Sequence, residues 1–268
     1  LRNSKKNNKF SSFSAIRASL KQVKKNAYDL VIDAQGLLKS AILTRFVSAK
    51  QRHGYDKHSI REAIASRFYT HRHTVEFEQH AITRMRQLFA AVFGYTVDLN
   101  QPLDYGLSIS TLFQCKDQEI VLCFPCTTWE TKHWPKAYWR ELFGLLDNGS
   151  CRIQLAWGSS PEQDYVRELA KGFAHVELLP STTITQMMEY VRAASIVIGV
   201  DTGFSHLPQM FDIPLVAIYG ATAPGKTGPM AKHQNILSTN FSCSPCFKRE
   251  CQFNGQSIQK PACYETAC

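Results

Sequence analysis

The sequence predicts an α/β protein built on parallel sheets, and three observations carry that reading. Short apolar runs alternate with helical patterns through the second half of the chain, the spacing of βαβ units. The longest runs, Ser195–Val200 and Ile213–Gly220, read as buried strands and fall far short of the ~18 residues of a membrane span. Polar residues gather directly after several runs, where open parallel sheets bind their ligands. The 268 residues are 44% apolar and 20% charged, which excludes a disordered or fibrous chain.

Element by element, Tyr28–Ala34 (YDLVIDA) reads as a strand. Gln35-Gly36 then turns the chain into a helical pattern over Leu37–Val47. Helical spacing recurs over Lys57–Phe68 and Glu78–Phe93, and Pro102 and Gly106 mark an irregular connection after them. From Glu119 the alternation is regular. Strands are predicted at Glu119–Phe124, Arg152–Trp157, His175–Leu179, Ser195–Val200 and Leu215–Tyr219. Helices are predicted from Pro135 to about Leu146, Pro161–Lys171, Ile184–Ala194 and Ser205–Phe211. Pro135 suits a first helical position because its missing N–H would be unpaired there anyway.

Lys and Arg number 31 against 22 acids, a net charge of +9, which favours anionic partners: phosphates, nucleic acid or an acidic membrane face. Nucleic acid is the weakest of these, because the basic residues are not interleaved with aromatic stacking platforms and no zinc-finger or helix-turn-helix spacing appears. The first residue is Leu1, and no apolar stretch follows Arg2, Lys5, Lys6 and Lys9, so a signal peptide is not expected. The non-Met start and the Cys-rich finish raise the expectation of a longer parent chain. Nine cysteines without a leader suit a reducing cytosol. Cys115, Cys123, Cys126 and Cys151 lie in or beside strand patterns, as small buried hydrophobes do. Cys243, Cys246, Cys251, Cys263 and Cys268 crowd the end, where Cys243-Ser-Pro-Cys246 has zinc spacing without the usual second pair. Free thiols on a loose tail are the expectation, with no metal.

Three loops carry candidate chemistry. Thr127, Thr128 and Lys132 sit between a strand and a helix, where hydroxyls, backbone N–H groups and an ammonium form a diphosphate cradle. A capped loop with a solvated lysine is the equal alternative. Asp201-Thr202-Gly203 follows an apolar strand, and a carboxylate beside a glycine suits sugar hydroxyls, with His206 placed to donate to a phosphate. Asp201 as a helix cap and His206 as a packed residue compete with that reading. Glu162 suits ribose hydroxyls, but taken alone it reads first as a first-turn acid complementing the positive end of its own helix. In the first half, Arg61, His80 and Arg84 are candidates for a common anionic ligand, against the alternative of an exposed charged face. Neither an HExxH zinc motif nor a GxSxG elbow occurs.

Several strings taken together resemble bacterial lipopolysaccharide heptosyltransferases of the heptosyltransferase I type, in glycosyltransferase family 9. Asp33-Ala34-Gln35-Gly36-Leu37-Leu38-Lys39-Ser40 is similar to the family's DxQGLxKS segment. Thr127-Thr128 with Lys132-His133-Trp134-Pro135, and Trp139-Arg140-Glu141-Leu142, resemble a second segment. Asp201-Thr202-Gly203-Phe204-Ser205-His206-Leu207 resembles VDTGLSHL, and Tyr219-Gly220-Ala221-Thr222 with Pro224-Gly225 resembles YGxTxPG, with Ala223 where the family has Asp.

The resemblance implies a GT-B fold: two Rossmann-like domains facing a cleft, the N-terminal one incomplete. Residues 1–116 would bind the acceptor, 117–240 the donor, and 241–268 form the Cys-rich tail, which looks more like heptosyltransferase II. The implied reaction is inverting heptosyl transfer from ADP-L-glycero-β-D-manno-heptose to Kdo-bearing lipid A, with no cofactor or metal. Thr127, Thr128 and Lys132 would hold the diphosphate, Glu162 the ribose, and Asp201 with Thr202 and Gly203 the heptose, with His206 near phosphate and sugar. Lys5, Lys6, Arg61, His80 and Arg84 would meet the acceptor's negative groups. The family's catalytic Asp would lie upstream of Leu1. The implied place of work is the cytosolic face of the inner membrane, with peripheral contact to anionic lipid. Open alternatives are another nucleotide-sugar donor, a heptosyltransferase II-like acceptor, or nucleotide-sugar binding without turnover.

Overall fold

A computed structural model describes residues 21–107 and 118–265. The chain forms two compact units that divide at Asn100/Gln101. The break expected after residue 116 falls within 108–117, outside the described residues.

Unit 1 holds a three-stranded parallel sheet in the order β1-β2-β3, with β1 at Ala27–Asp33, β2 at Ser48–Tyr55 and β3 at His71–His73. Helix α1 (Leu38–Thr44) crosses from β1 to β2, and α2 (Ala81–Phe93) follows β3. Ala41, Tyr55, Ile60, Ala65, Tyr69, Val75 and Leu88 form its core. β2 has no counterpart in the expected elements, because SAKQRHGY has neither an apolar run nor clean alternation. The helix expected over Lys57–Phe68 is a turn followed by a 3-10 segment, Ala63–Phe68. Asp56 Oδ1 accepts from the N–H groups of His58 (3.0 Å) and Ser59 (2.8 Å), a local bond that competes with helix formation.

Asp33 organises the turn after β1. Its Oδ1 accepts from the N–H groups of Gln35 (2.9 Å) and Gly36 (3.2 Å), and its Oδ2 from Ser40 Oγ (2.8 Å) and Tyr69 Oη (2.6 Å). Gly36 sits at φ +66°, and a Cβ there would stand 2.9 Å from Ile60 Cγ1, so the turn requires glycine.

Unit 2 holds six parallel strands: β4 (Glu119–Phe124), β5 (Cys151–Leu155), β6 (Val176–Leu178), β7 (Ile196–Val200), β8 (Leu215–Tyr219) and β9 (Gln234–Ser238). Their order is β6-β5-β4-β7-β8-β9, the 3-2-1-4-5-6 pattern of dinucleotide-binding folds, whose direction reverses between β4 and β7. The connecting helices are α3 (Lys136–Leu145), α4 (Ser160–Ala170) and α5 (Ile184–Ala193), and a one-turn α6 (Pro224–Thr227) follows β8. Thr183 caps α5 in a reciprocal pair with Gln186. The segment expected as a helix over Ser205–Phe211 is two 3-10 turns, Gly203–His206 and Pro208–Met210. Pro208 has no N–H to donate, so a continuous helix would lack a rung there.

Two apolar clusters sandwich the sheet, one around Trp139, Phe143, Ile153 and Leu169, the other around Leu122, Met187, Val197 and Tyr219. The tail is not loose: Ala262, Cys263 and Tyr264 are buried, and the last two belong to the first cluster. Thr239 Oγ1 donates to Cys263 O (2.5 Å), and Tyr264 Oη donates to Lys132 O (3.3 Å).

Trp139 is fully buried, so Trp139→Ala is expected to destabilise the protein by about 3–5 kcal/mol, read from the urea midpoint. The stacked imidazoles of His53, His71 and His73 in unit 1 make stability pH-dependent. Burial, then the neighbouring imidazoles, lower the pKa of His53 and His73 below the ordinary 6.5. A lowered folded-state pKa gives stability that is complete above pH 6.5 and is lost as pH falls through the folded values. Urea denaturation is therefore expected to show a falling midpoint between pH 7.5 and 5.5, flattened in His53→Gln/His73→Gln.

Candidate active site

The candidate site lies at the carboxyl ends of β4, β7 and β8, at the sheet's reversal point. Each side chain follows from its element. β4 ends in buried Phe124 and delivers the loop that carries Thr127, Thr128 and Lys132. β7 is buried over its last four residues and ends directly in Asp201. β8 ends in Tyr219, and Thr222 follows three residues on.

Lys132 Nζ stands 2.6 Å from Asp201 Oδ2, with only 17% and 11% of the two side chains exposed. Thr222 Oγ1 donates to the same carboxylate oxygen at 2.5 Å. Thr127 Oγ1 donates to the carbonyl of Asp201 at 3.2 Å, and His133 Nε2 lies 2.9 Å from Thr127 O. The Trp129 ring lies 4.5 Å from Lys132 Nζ, an added electrostatic attraction for the ammonium. The buried Tyr219 hydroxyl has no hydrogen-bond partner among the described residues, and burial, then the Asp201 charge, raises its pKa. Lys132 is thus an internal counter-ion rather than a solvated lysine. The N-cap of the following 3-10 turn is Thr202, without a side-chain cap bond, and the Asp201 carboxylate meets Lys132 and Thr222 instead.

The other expected donor residues sit around this centre. Thr128 and Gly203 are exposed, and a Cβ on Gly203 would meet open space. Thr202 and His206 are half-buried. Glu162 stands apart: its Oε2 accepts from Gly158 N–H at 2.8 Å, closing the turn into α4. Its loop meets the first one where Cys126 Sγ reaches Glu162 O at 4.0 Å. Thr222, Trp129 and Tyr219 were absent from the expected set. Thr222 and Tyr219 lie inside the Tyr219–Gly225 string, and Trp129 inside the Thr127–Lys132 loop.

The tail straps this site. Thr131 Oγ1 donates to Lys248 O (2.5 Å), Ser244 Oγ to Gly220 O (2.5 Å), and Phe247 N–H to Ala221 O (2.9 Å). Cys243, Cys246, Cys251 and Cys263 line one 160 Å³ pocket beneath the strap. Burial, then those neighbouring thiols, pushes the Cys263 thiol up to about 12. The seven described cysteines are free, and no three His, Cys, Asp or Glu side chains among the described residues are grouped to hold a metal ion.

Of the expected acceptor residues, Lys5 and Lys6 lie outside the described residues. His80 caps α2 by accepting from Ile82 N–H at 3.2 Å. The Arg84 guanidinium lies 4.7 Å from the Tyr55 ring and 4.9 Å from the Phe77 ring, and it donates to Ser59 O. Arg61 is exposed.

Residues 16–256 match the profile of glycosyltransferase family 9 (heptosyltransferase). The chain belongs to that family. It is 41% identical over 233 residues to lipopolysaccharide heptosyltransferase 1 of Pseudomonas aeruginosa, covering 87% of this chain and 65% of that protein. To lipopolysaccharide heptosyltransferase 1 of Escherichia coli K12 it is 40% identical, covering 78% and 66%. The chain thus spans just under two thirds of the length of both relatives. Among solved structures, the E. coli heptosyltransferase WaaC with ADP superposes with TM-score 0.77 at 37% identity, over 86% of this chain and 72% of that one. The same enzyme with ADP-2-deoxy-2-fluoro heptose superposes with TM-score 0.73. The GT-B class expected from the family 9 motifs is therefore the fold observed. Among the described residues no helix is long and apolar enough to cross a membrane.

Gly199, on β7, tests how the family 9 site is positioned. A Cβ there would meet Ser205 Oγ at 2.4 Å and Phe124 Cβ at 3.3 Å, and Ser205 Oγ holds Val200 O at 2.7 Å. Gly199→Ala is expected to destabilise the fold by about 1–3 kcal/mol by displacing the turn that follows Asp201, read as a lowered Tm.

Proposed function

We propose that the protein is an inverting glycosyltransferase that moves a heptose from ADP-heptose to the Kdo of lipid A–Kdo, in assembly of the lipopolysaccharide inner core. One observation carries the reading: a lysine, a carboxylate and a threonine hydroxyl converge where a dinucleotide-binding sheet reverses direction. Family membership and the likeness to an ADP-bound heptosyltransferase support it.

In this reading the Lys132–Asp201 pair is the site's resting state. A diphosphate entering beside Thr127 and Thr128 draws the ammonium towards itself, with further positive potential from the backbone N–H groups of the loop. The Asp201 carboxylate then accepts from sugar hydroxyls while Thr222 holds it in place. Stabilising the departing diphosphate is where this cluster acts on the rate, because negative charge grows there as the glycosidic bond breaks. Glu162 turns to the ribose by releasing the Gly158 N–H, and Thr202, Gly203 and His206 border the sugar and phosphate. Arg61, His80 and Arg84 meet the acid groups of the acceptor. The proton acceptor for the attacking hydroxyl is assigned to no described residue. The protein works on the cytosolic side of the membrane that holds its lipid acceptor and touches anionic lipid at its periphery.

Calorimetric titration with ADP, UDP and GDP tests the donor class, and clear preference for ADP is expected. Lys132→Ala and Asp201→Ala are each expected to lower heptose transfer to Kdo-lipid A by at least about 10²-fold. Unchanged transfer in both variants would sink the proposal. Preference for UDP or GDP would keep the fold and replace the donor.

A further inference from the structure

Unit 1 holds a second concave site that the donor chemistry does not use. It is a cavity of 510 Å³ formed where β2 runs into the Asp56–Ser59 turn and the 3-10 segment Ala63–Phe68. Four basic side chains line it, Lys57, His58, Arg67 and Arg72, against one acid, Asp56. Asp56 is already occupied: Oδ1 accepts the two backbone N–H groups of the turn, and Oδ2 accepts Thr74 Oγ1 at 2.7 Å. Burial works against its ionisation, but the bonds from Thr74, Ser59 and His58 outweigh that and hold its carboxyl at about 2. It therefore stays a fixed anion that shapes the turn presenting Lys57 and His58. Arg72 is likewise preset, its Nε donating to Ser66 O at 2.9 Å. Ala63 and Ile64 add an apolar wall, and Ile64 is 53% exposed.

We propose that this cavity seats the phosphate-bearing headgroup of an anionic membrane phospholipid, with Ile64 entering the apolar layer beneath it. The inference rests on the membrane-contact part of the proposed function and is independent of the donor. Preset cations beside an exposed aliphatic side chain complement an amphiphile: the phosphate meets Arg67, Arg72 and Lys57, and the glycerol and first acyl carbons meet Ile64. The volume exceeds what a lone phosphate needs. A nucleic acid fits less well, because no Phe, Tyr or Trp ring lines the cavity to stack successive bases.

The test is co-sedimentation of the full chain with neutral phosphatidylcholine vesicles and with vesicles carrying about a third phosphatidylglycerol. Selective binding to the anionic vesicles is expected. Lys57→Gln/Arg67→Gln should weaken it about 30-fold, at the usual contribution of a basic residue to an anionic surface. Ile64→Ser should weaken it further, and glycerol 3-phosphate should compete only poorly. An unchanged urea midpoint and circular dichroism spectrum in these variants show that unit 1 stays folded, and unchanged ADP titration shows the same of unit 2. It also separates the two proposals, since a wild type that binds vesicles but not ADP fails only the donor reading. Three outcomes overturn the inference: no preference for anionic vesicles, full binding by the double variant, or capture of orthophosphate or an RNA oligonucleotide through Lys57 and Arg67 without vesicle binding.

Discussion

The ion pair between Lys132 and Asp201 is the constraint on which unit 2 depends. Two opposite charges that are largely withdrawn from water are tolerable only when each satisfies the other, and removing one leaves the partner uncompensated. The surrounding structure maintains that balance. Thr222 takes a second lone pair of the Asp201 carboxylate, Thr127 holds the Asp201 carbonyl, and Trp129 offers its ring to the ammonium. The same arrangement readies the site for an anionic, hydroxyl-rich ligand. On the proposed function, a diphosphate would take the place of the carboxylate beside Lys132, and sugar hydroxyls the place of the ammonium beside Asp201.

The Cys-rich segment belongs to the same construction. It crosses the carboxyl ends of the strands and bonds to the β4 loop through the Lys248 carbonyl at Thr131, and to the β8 loop through Ser244 Oγ at Gly220 and Phe247 N–H at Ala221. Buried Tyr264 lies under Lys132, its hydroxyl on the Lys132 carbonyl. A segment without regular secondary structure must satisfy its backbone groups somewhere, and here it does so on the site's own loops. Unit 1 shows a parallel economy: Asp33 collects four donors at the end of β1, and Asp56 collects three at the end of β2. In both, a carboxylate at or just past a strand's end fixes the turn that follows.

Legibility in the sequence followed burial. Glu119–Phe124 and Leu215–Tyr219 were read with the observed bounds, because both are short apolar runs whose last residues are buried. β2, β3 and β9 were not read. SAKQRHGY, HRH and QNILS carry too few apolar residues to signal a strand, and among the described residues β3 and β9 are edge strands with one neighbour each. The tail looked loose for a similar reason. Its buried residues, Pro261, Ala262, Cys263 and Tyr264, form one short run without a period, so nothing local distinguishes them from an exposed turn. Arg84 has no local mark of its surroundings either, since the two rings that flank it come from β2 and from the approach to α2.

The sequence by itself determined the alternation of strands and helices in unit 2, the Pro and Gly punctuation, and the loops that carry the polar groups. All of these are set by neighbours within a few residues along the chain. Only the tertiary structure decided that Lys132, Asp201 and Thr222 meet, that Glu162 stands apart, and that the tail closes over the loops. Those outcomes depend on strand order. Placing β7 beside β4 and β8 beside β7 brings the loops after three separate strands to one end of the sheet. There, burial strengthens the attraction between charges that water would have screened.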